Sequence, residues 1–153
     1  MSTIKKNLRT IIFGIEDSLV STTGVIVGLI AAGTSESIIL AAGLITIVVE
    51  ATSMGAGEFI SNDDSPEKDK DALKKALLML VSYSAAGLWV MTPLFLGARS
   101  NLPIIAFTFA SLFGLGYWRG HILNGNRLKF AIRTLIIGGV ACSFGIAVGL
   151  LFR

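Results

Sequence analysis

Residues 13–29, FGIEDSLVSTTGVIVGL, decide how this chain must fold. The stretch is apolar enough to cross a bilayer, yet it carries two adjacent carboxylates, Glu16 and Asp17, and a Ser-Thr-Thr-Gly run from Ser21. Ionisable side chains are costly inside a hydrocarbon layer, and where they occur they face a protein interior or a water-filled path. The stretch therefore predicts a membrane helix that carries a functional polar site.

The composition of the chain is that of an integral membrane protein. Hydrophobic residues make up 53% of its 153 residues and charged residues only 15%, whereas soluble domains carry about 25% charged residues. The chain therefore has too few polar side chains to cover a soluble surface. Its length suits about five crossings of roughly 20 residues each. We expect one all-α integral membrane domain with five transmembrane helices and no soluble module.

Hydrophobic runs divide the chain into five predicted spans. These spans cover residues 11–33, 38–60, 76–98, 102–117 and 134–152, and the longer loops between them cover 61–75 and 118–133. Pro93 is expected to kink or end the third span, and Pro103 lies at the start of the fourth. Pro66, in the first long loop, is expected to begin a short amphipathic helix or to extend the third span into water.

The distribution of Lys and Arg predicts the orientation. If the N-terminus is cytoplasmic, the outer segments hold only Arg99 and Arg153, and the inner segments hold the other eleven of the 13 Lys and Arg residues. Such residues accumulate on the cytoplasmic side of membrane proteins. We therefore expect a cytoplasmic N-terminus, cytoplasmic loops at 61–75 and 118–133, and a C-terminus outside. The membrane would be the cell membrane in a prokaryote, or a vacuolar or other endomembrane in a eukaryote.

The second predicted span carries a polar stripe of its own. Glu50, Met54 and Glu58 are spaced four residues apart, so they lie along one face of a helix. At 1.5 Å per residue, Asp17 and Met54 both lie about 9 Å from the cytoplasmic ends of their spans, Glu58 about 3 Å and Glu50 about 15 Å. This matched depth predicts that Asp17 and Met54 meet on neighbouring helices.

Together these side chains form a donor set for a divalent transition metal. Carboxylates supply charge and hard oxygen ligands, whereas a thioether sulfur suits Fe²⁺ or Mn²⁺ better than Mg²⁺ or Ca²⁺. The carboxylates can also release and regain protons, which allows exchange of metal for protons. The predicted metal-site residues are Asp17, Met54, Glu58, Glu50 and Glu16. Fe²⁺ or Mn²⁺ would be the cargo, and no tightly bound cofactor is expected.

Other motifs concern packing rather than catalysis. The sequence has no HExxH, P-loop or nucleophile elbow, so no enzyme activity is expected. The basic loops are ordinary inner-face charges beside the lipid bilayer, and no nucleic-acid partner is expected. Gly24-x-x-x-Gly28 and Gly145-x-x-x-Gly149 are small-residue patterns that permit close helix contact. With the hydroxyl side chains beside it, the first pattern predicts a homodimer through span one.

Two of these stretches resemble the vacuolar iron transporter family. DSLVSTTGVIVGL (17–29) is similar to the DGLVS…GVVVGL signature of that family, and EATSMGAGEFIS (50–61) is similar to its AGAISMGAGEYIS. The resemblance implies a five-span homodimer that moves Fe²⁺, and often Mn²⁺, out of the cytosol against protons. It also implies that Asp17 and Met54 line the metal pathway and that Glu58 matches the Glu of the GAGEY motif.

Several positions depart from the family's pattern. Ser18 replaces the usual Gly after the Asp, and Glu16 is an extra acid at a usually uncharged position. Glu50 stands where family members often have a small residue, and some carry an acid one turn earlier, where this chain has Thr46. The loop 61–75 is too short for the Glu-rich helical metal-binding domain that better-known members place there.

The sequence therefore predicts a dimeric exporter of Fe²⁺ or Mn²⁺ from the cytoplasm, driven by proton exchange. Two alternatives stay open. One is a proton-coupled carrier of a small organic cation that uses Asp17 and Glu50 as counter-charges and has no need of the Met54 sulfur. The other is a membrane protein that binds metal or scaffolds a partner without transporting anything.

Overall fold

The chain is helical in nearly all of the part that the structure describes. A computed structural model describes residues 3–61 and 69–153. Its helices are α1 (Thr3–Ala31), α2 (Glu36–Ile60), α3 (Asp69–Val90), α4 (Thr92–Phe95), α5 (Asn101–Ile122) and α6 (Arg127–Leu151). No strand occurs within the described ranges. All but the short α4 are long and apolar enough to cross a membrane, which gives the five membrane-length helices that the sequence predicted.

The helices extend beyond the predicted spans at one end of the bundle. This is the end where α1, α3 and α6 begin and α2 and α5 end, and we call it the basic end. Hydropathy marks only the apolar part of a helix, whereas the backbone hydrogen bonds continue through polar turns. The segment 118–133, predicted as a loop, is helical except for residues 123–126. In the loop predicted at 61–75, α3 already begins at Asp69, and 62–68, including Pro66, lie outside the described residues.

The third predicted span, 76–98, is interrupted before its end. α3 stops at Val90, and α4 begins at Thr92 with Pro93 in its first turn. Proline has no N–H group and disfavours helical geometry in the preceding residue, so the break at this point is the one that the sequence leads us to expect. Gly97 then turns the chain with a φ of 87°, a conformation that glycine adopts without steric cost.

α1 is the central helix of the bundle. It packs against α2, α3, α5 and α6, whereas the contacts among the outer helices are mainly α2 with α3 and α5 with α6. Half (50%) of the membrane-length window of α1 is buried, against 33% or less in each of the other four. Polar side chains on α1 are therefore positioned by several neighbours at once.

Apolar side chains also cover the outside of the bundle. On α2, Ile45 and Val48 are 62% and 64% exposed, and on α6, Ile136 and Phe144 are 60% and 68% exposed. Large apolar surfaces of this kind are rare on soluble monomers. A helix satisfies its own backbone polar groups and so can present such a surface to lipid. The fold is that of a multi-pass membrane protein.

α5 and α6 form a tight antiparallel hairpin. A Cβ atom on Gly116 would lie 2.7 Å from Cα of Ala131, and one on Gly120 would lie 2.6 Å from Cα of Arg127. These glycines therefore allow the two backbones to touch near the basic end. The side chain of Asn126 accepts a hydrogen bond from the backbone N–H of Lys129 and begins α6, as expected of an N-cap.

Glycines also bring α1 against α6. A Cβ atom on Gly28 would lie 2.7 Å from the carbonyl oxygen of Gly145, and one on Gly149 would overlap the carbonyl oxygen of Gly28. The two small-residue patterns thus pack against each other within one chain. Because of this contact, the pattern at Gly24 and Gly28 does not by itself indicate a face for a second copy. A homodimer through span one stays a prediction.

We predict that Gly149→Ala destabilises the protein by about 1–3 kcal/mol, the usual cost of overpacking. The added methyl group would meet the backbone carbonyl of Gly28, which cannot swing aside as a side chain can. Gly114→Ala on α5 is the matched control, because a Cβ atom there meets nothing within 4 Å. Thermal unfolding in detergent measures both variants, and equal melting temperatures would contradict the prediction.

Candidate functional site

Asp17 and Glu50 bring negative charge from two helices into one region of the bundle. Asp17 on α1 and Glu50 on α2 are close enough for their carboxylates to interact electrostatically. Tyr83 of α3 is close enough to interact with both of them. Asp17 is half-buried, and within the described residues it forms no hydrogen bond or ion pair. Two ionised carboxylates in an apolar setting repel each other, so this arrangement favours a bound cation or proton.

The contact between Thr10 and Glu58 puts Asp17 at a level of α2 between Glu50 and Met54. The hydroxyl of Thr10 donates a hydrogen bond to Oε1 of Glu58, with the two oxygens 3.3 Å apart. Asp17 lies seven residues after Thr10. Because α1 and α2 run in opposite directions and rise equally per residue, Asp17 is level with the residue seven positions before Glu58. That level lies between Glu50 and Met54, one residue from Glu50, whereas the predicted depths matched Asp17 with Met54.

The stripe Glu50, Met54 and Glu58 runs along the border of the covered face of α2. All three side chains are half-buried. On one side of the stripe is the buried row of Ile47, Ala51 and Gly55, and on the other side are exposed residues. The thioether of Met54 therefore lies one turn from each carboxylate, at the edge of the bundle rather than in its centre.

These donors do not form a closed metal cage within one chain. Within residues 3–61 and 69–153, no three His, Cys, Asp or Glu side chains converge closely enough to hold a metal ion. The acids instead occur along α1 and α2 with different neighbours.

Tyr83 also belongs to this region, although the sequence analysis did not identify it. Its side chain is 0% exposed. Its hydroxyl donates a hydrogen bond to Oε2 of Glu50 and lies 2.5 Å from Oγ of Ser21. One tyrosine thus connects α1, α2 and α3. The only signal in the sequence is a Ser-Tyr-Ser run at 82–84 inside an apolar span, and nothing local to that run identifies its partners.

Glu16 has a partner of the opposite charge. Its Oε2 atom lies 3.2 Å from Nη1 of Arg119 on α5, and its side chain is 17% exposed. The guanidinium of Arg119 also lies over the ring of Phe130 on α6, 5.7 Å from its centroid. Successive residues on a helix point about 100° apart, so Glu16 meets α5 while Asp17 lies near Glu50. The pair joins α1, α5 and α6 near the basic end.

Ser18 fits its position because the residue opposite has no side chain. Ser18 is fully buried. A Cβ atom on Gly87 of α3 would lie 2.9 Å from the Ser18 hydroxyl oxygen. Within the described residues this oxygen has no hydrogen-bond partner. The departure from the family's Gly at this position is therefore accommodated by a Gly on the neighbouring helix.

We predict that Arg119→Met destabilises the protein by about 1–2 kcal/mol, because it leaves the Glu16 carboxylate partly buried without a counter-charge. The double variant Glu16→Gln with Arg119→Met should recover much of that loss, since the uncompensated charge is then removed. Thermal unfolding in detergent measures both. Arg127→Met is the control, because Arg127 is exposed. Equal losses in the single and double variants would contradict a role for this ion pair.

One protein-family model matches both halves of the bundle. The model of the VIT family, the vacuolar iron transporter family, matches residues 8–67 and 62–150. The first match contains Asp17, Glu50, Met54 and Glu58, and the second contains Tyr83 and most of α3 to α6. A search of curated proteins found no significant match. Because the family model covers nearly the whole chain, the protein belongs to the vacuolar iron transporter family.

Proposed function

We propose that the protein exports Fe²⁺ or Mn²⁺ from the cytoplasm through the membrane, in exchange for protons. Membership of the family indicates membrane transport of metal ions as the general class. The observation that carries the more specific proposal is the carboxylate of Asp17, which lies on α1 at a level between Glu50 and Met54 of α2. A half-buried carboxylate without a hydrogen bond or ion pair among the described residues is a group that a cation would stabilise.

The donor types support a divalent transition metal. Asp17 and Glu50 offer oxygen atoms with negative charge, and Met54 offers a polarisable sulfur. Thioether ligands add little for Mg²⁺ or Ca²⁺, which prefer oxygen, but suit softer first-row metals. Glu58, two turns from Glu50 toward the basic end, would receive the ion before it reaches Asp17. When the metal leaves, protons on the same carboxylates would relieve their repulsion.

The charge distribution supports a cytoplasmic basic end. The Lys and Arg residues near that end include Arg9, Lys70, Lys74, Lys75, Arg119, Arg127, Lys129 and Arg133. At the opposite end, Arg153 follows α6, and Arg99 forms an exposed ion pair of 3.2 Å with Glu36. The bias of positive residues toward the cytoplasm favours an N-terminus inside and a C-terminus outside. Glu58 would then lie at the cytoplasmic entrance.

A homodimer would complete the donor set. The stripe on α2 borders an uncovered face, and on the central helix Phe13 is 53% exposed. A groove of about 700 Å³ runs between α1 and α6 along Ser21, Gly24 and Gly28. A second copy placed against the uncovered side of α1 would bring its own Asp17 and Met54 near the first set. This would add ligands to those that the described residues of one chain bring together.

We predict that Asp17→Asn and Met54→Leu each reduce metal flux at least about tenfold, because each removes a proposed ligand. The assay uses proteoliposomes loaded with a metal-sensitive dye and compares Fe²⁺ with Mn²⁺. Glu36→Gln is the control, since it removes an acid at the opposite end of the bundle.

Unchanged flux in both variants would refute the assignment of these residues. A carrier of small organic cations would instead show a silent Met54→Leu variant and no metal flux. A non-transporting metal-binding protein would bind the ion in stoichiometric amounts without flux.

A further inference from the structure

Tyr83 stands out among the buried polar groups because it connects a proposed metal ligand to two other helices. It is one of the largest fully buried side chains in the described part of the protein. Its hydroxyl group lies between Ser21 of α1 and Glu50 of α2. A buried tyrosine needs some hydrogen-bond partner for its hydroxyl group. Here the partner is a carboxylate that interacts with Asp17.

The direction of these hydrogen bonds follows from the hydrogens available. An ionised carboxylate can only accept, so the Tyr83 hydroxyl donates its single hydrogen to Glu50. The Ser21 hydroxyl, 2.5 Å from the Tyr83 oxygen, must then donate its own hydrogen to Tyr83. The chain of donors runs from Ser21 to Tyr83 to Glu50. It engages Oε2 of Glu50 and fixes a side chain that otherwise has several rotatable bonds.

We propose that Tyr83 is a positioning residue that selects against large divalent cations such as Ca²⁺. With Oε2 engaged by the phenol, Glu50 presents Oε1 to an ion near Asp17 and binds through one oxygen. Ca²⁺ takes six to eight oxygen ligands and often uses both oxygens of a carboxylate. A carboxylate restricted to one oxygen therefore disfavours Ca²⁺ relative to a smaller ion with fewer ligands. This inference rests on the proposed metal transport and adds the residue that sets its selectivity.

The test is Tyr83→Phe, which keeps the buried ring and removes only the hydroxyl group. We measure Mn²⁺ uptake into proteoliposomes and its inhibition by Ca²⁺. In Tyr83→Phe, Glu50 can bind with both oxygens, so half-inhibition should need about tenfold less Ca²⁺ than in the wild type, in line with the loss of one hydrogen bond to a charged group. The chain has only two tyrosines, so Tyr117→Phe on α5 is the matched control and should behave as wild type.

Two further variants separate positioning from packing. Ser21→Ala should shift Ca²⁺ inhibition in the same direction, and Ser21→Thr, which keeps a hydroxyl group, should not. In a Glu50→Gln background, where transport itself should fall, calorimetry in detergent gives the ratio of Mn²⁺ to Ca²⁺ affinity, and Tyr83→Phe should cause no further shift in it, because the carboxylate that it positions is gone. An equal shift in that background would overturn the proposal, as would wild-type inhibition by Ca²⁺ in a Tyr83→Phe protein that still transports Mn²⁺.

Failure of the proposed function gives a different result from failure of this inference. If wild-type protein moves neither Fe²⁺ nor Mn²⁺, the transport proposal fails. The selectivity claim is then decided by calorimetry of Mn²⁺ and Ca²⁺ binding to the protein in detergent, where Tyr83→Phe must lower the ratio of Mn²⁺ to Ca²⁺ affinity about tenfold. An unchanged ratio would overturn it. If Tyr83→Phe folds poorly, the same ratio measured for Ser21→Ala against Ser21→Thr decides the claim.

Discussion

Repulsion between two carboxylates inside an apolar bundle is the constraint on which the proposed chemistry depends. Asp17 and Glu50 lie on different helices, so they stay close only if the helices are held together by other contacts. Thr10 bonds to Glu58 on the side of the basic end, and Tyr83 joins α3 to Glu50. Toward the opposite end of α1, the backbone contact with α6 holds this helix in place. These contacts between helices thus offset the repulsion between the two carboxylates.

Four acids of α1 and α2 differ in the group that pairs with or hydrogen-bonds to each carboxylate. Glu16 has the charge of Arg119, Glu50 has the hydroxyl of Tyr83, and Glu58 has the hydroxyl of Thr10. Asp17, within the described residues, has neither a hydrogen bond nor an ion pair. The adjacent acids therefore have different surroundings, and in the proposed function Asp17, rather than Glu16, is the acid that meets a cation or a proton.

Sequence reasoning could predict the features that depend on local chemistry. Apolar runs identified the five membrane-length helices, and the two motifs at 17–29 and 50–61 indicated the family. Hydropathy could not locate helix ends such as Ile122, because polar turns continue a helix as well as apolar ones do. Nor could it identify the partners of Gly28, Glu16 or Tyr83, since these lie on other helices: α6 for Gly28, α5 for Glu16, and both α1 and α2 for Tyr83. A contact between helices distant in sequence leaves no periodic pattern in either one.

X-ray absorption at the iron edge, on protein in detergent loaded anaerobically with Fe²⁺, tests the central claim most directly. It reports which atoms surround the metal. We predict oxygen ligands together with one or more sulfur scatterers, and we predict that the sulfur contribution disappears in Met54→Leu and that bound iron is lost in Asp17→Asn. A shell of oxygen alone in the wild type, or iron bound equally in Asp17→Asn, would contradict a metal site built from Asp17, Glu50 and Met54.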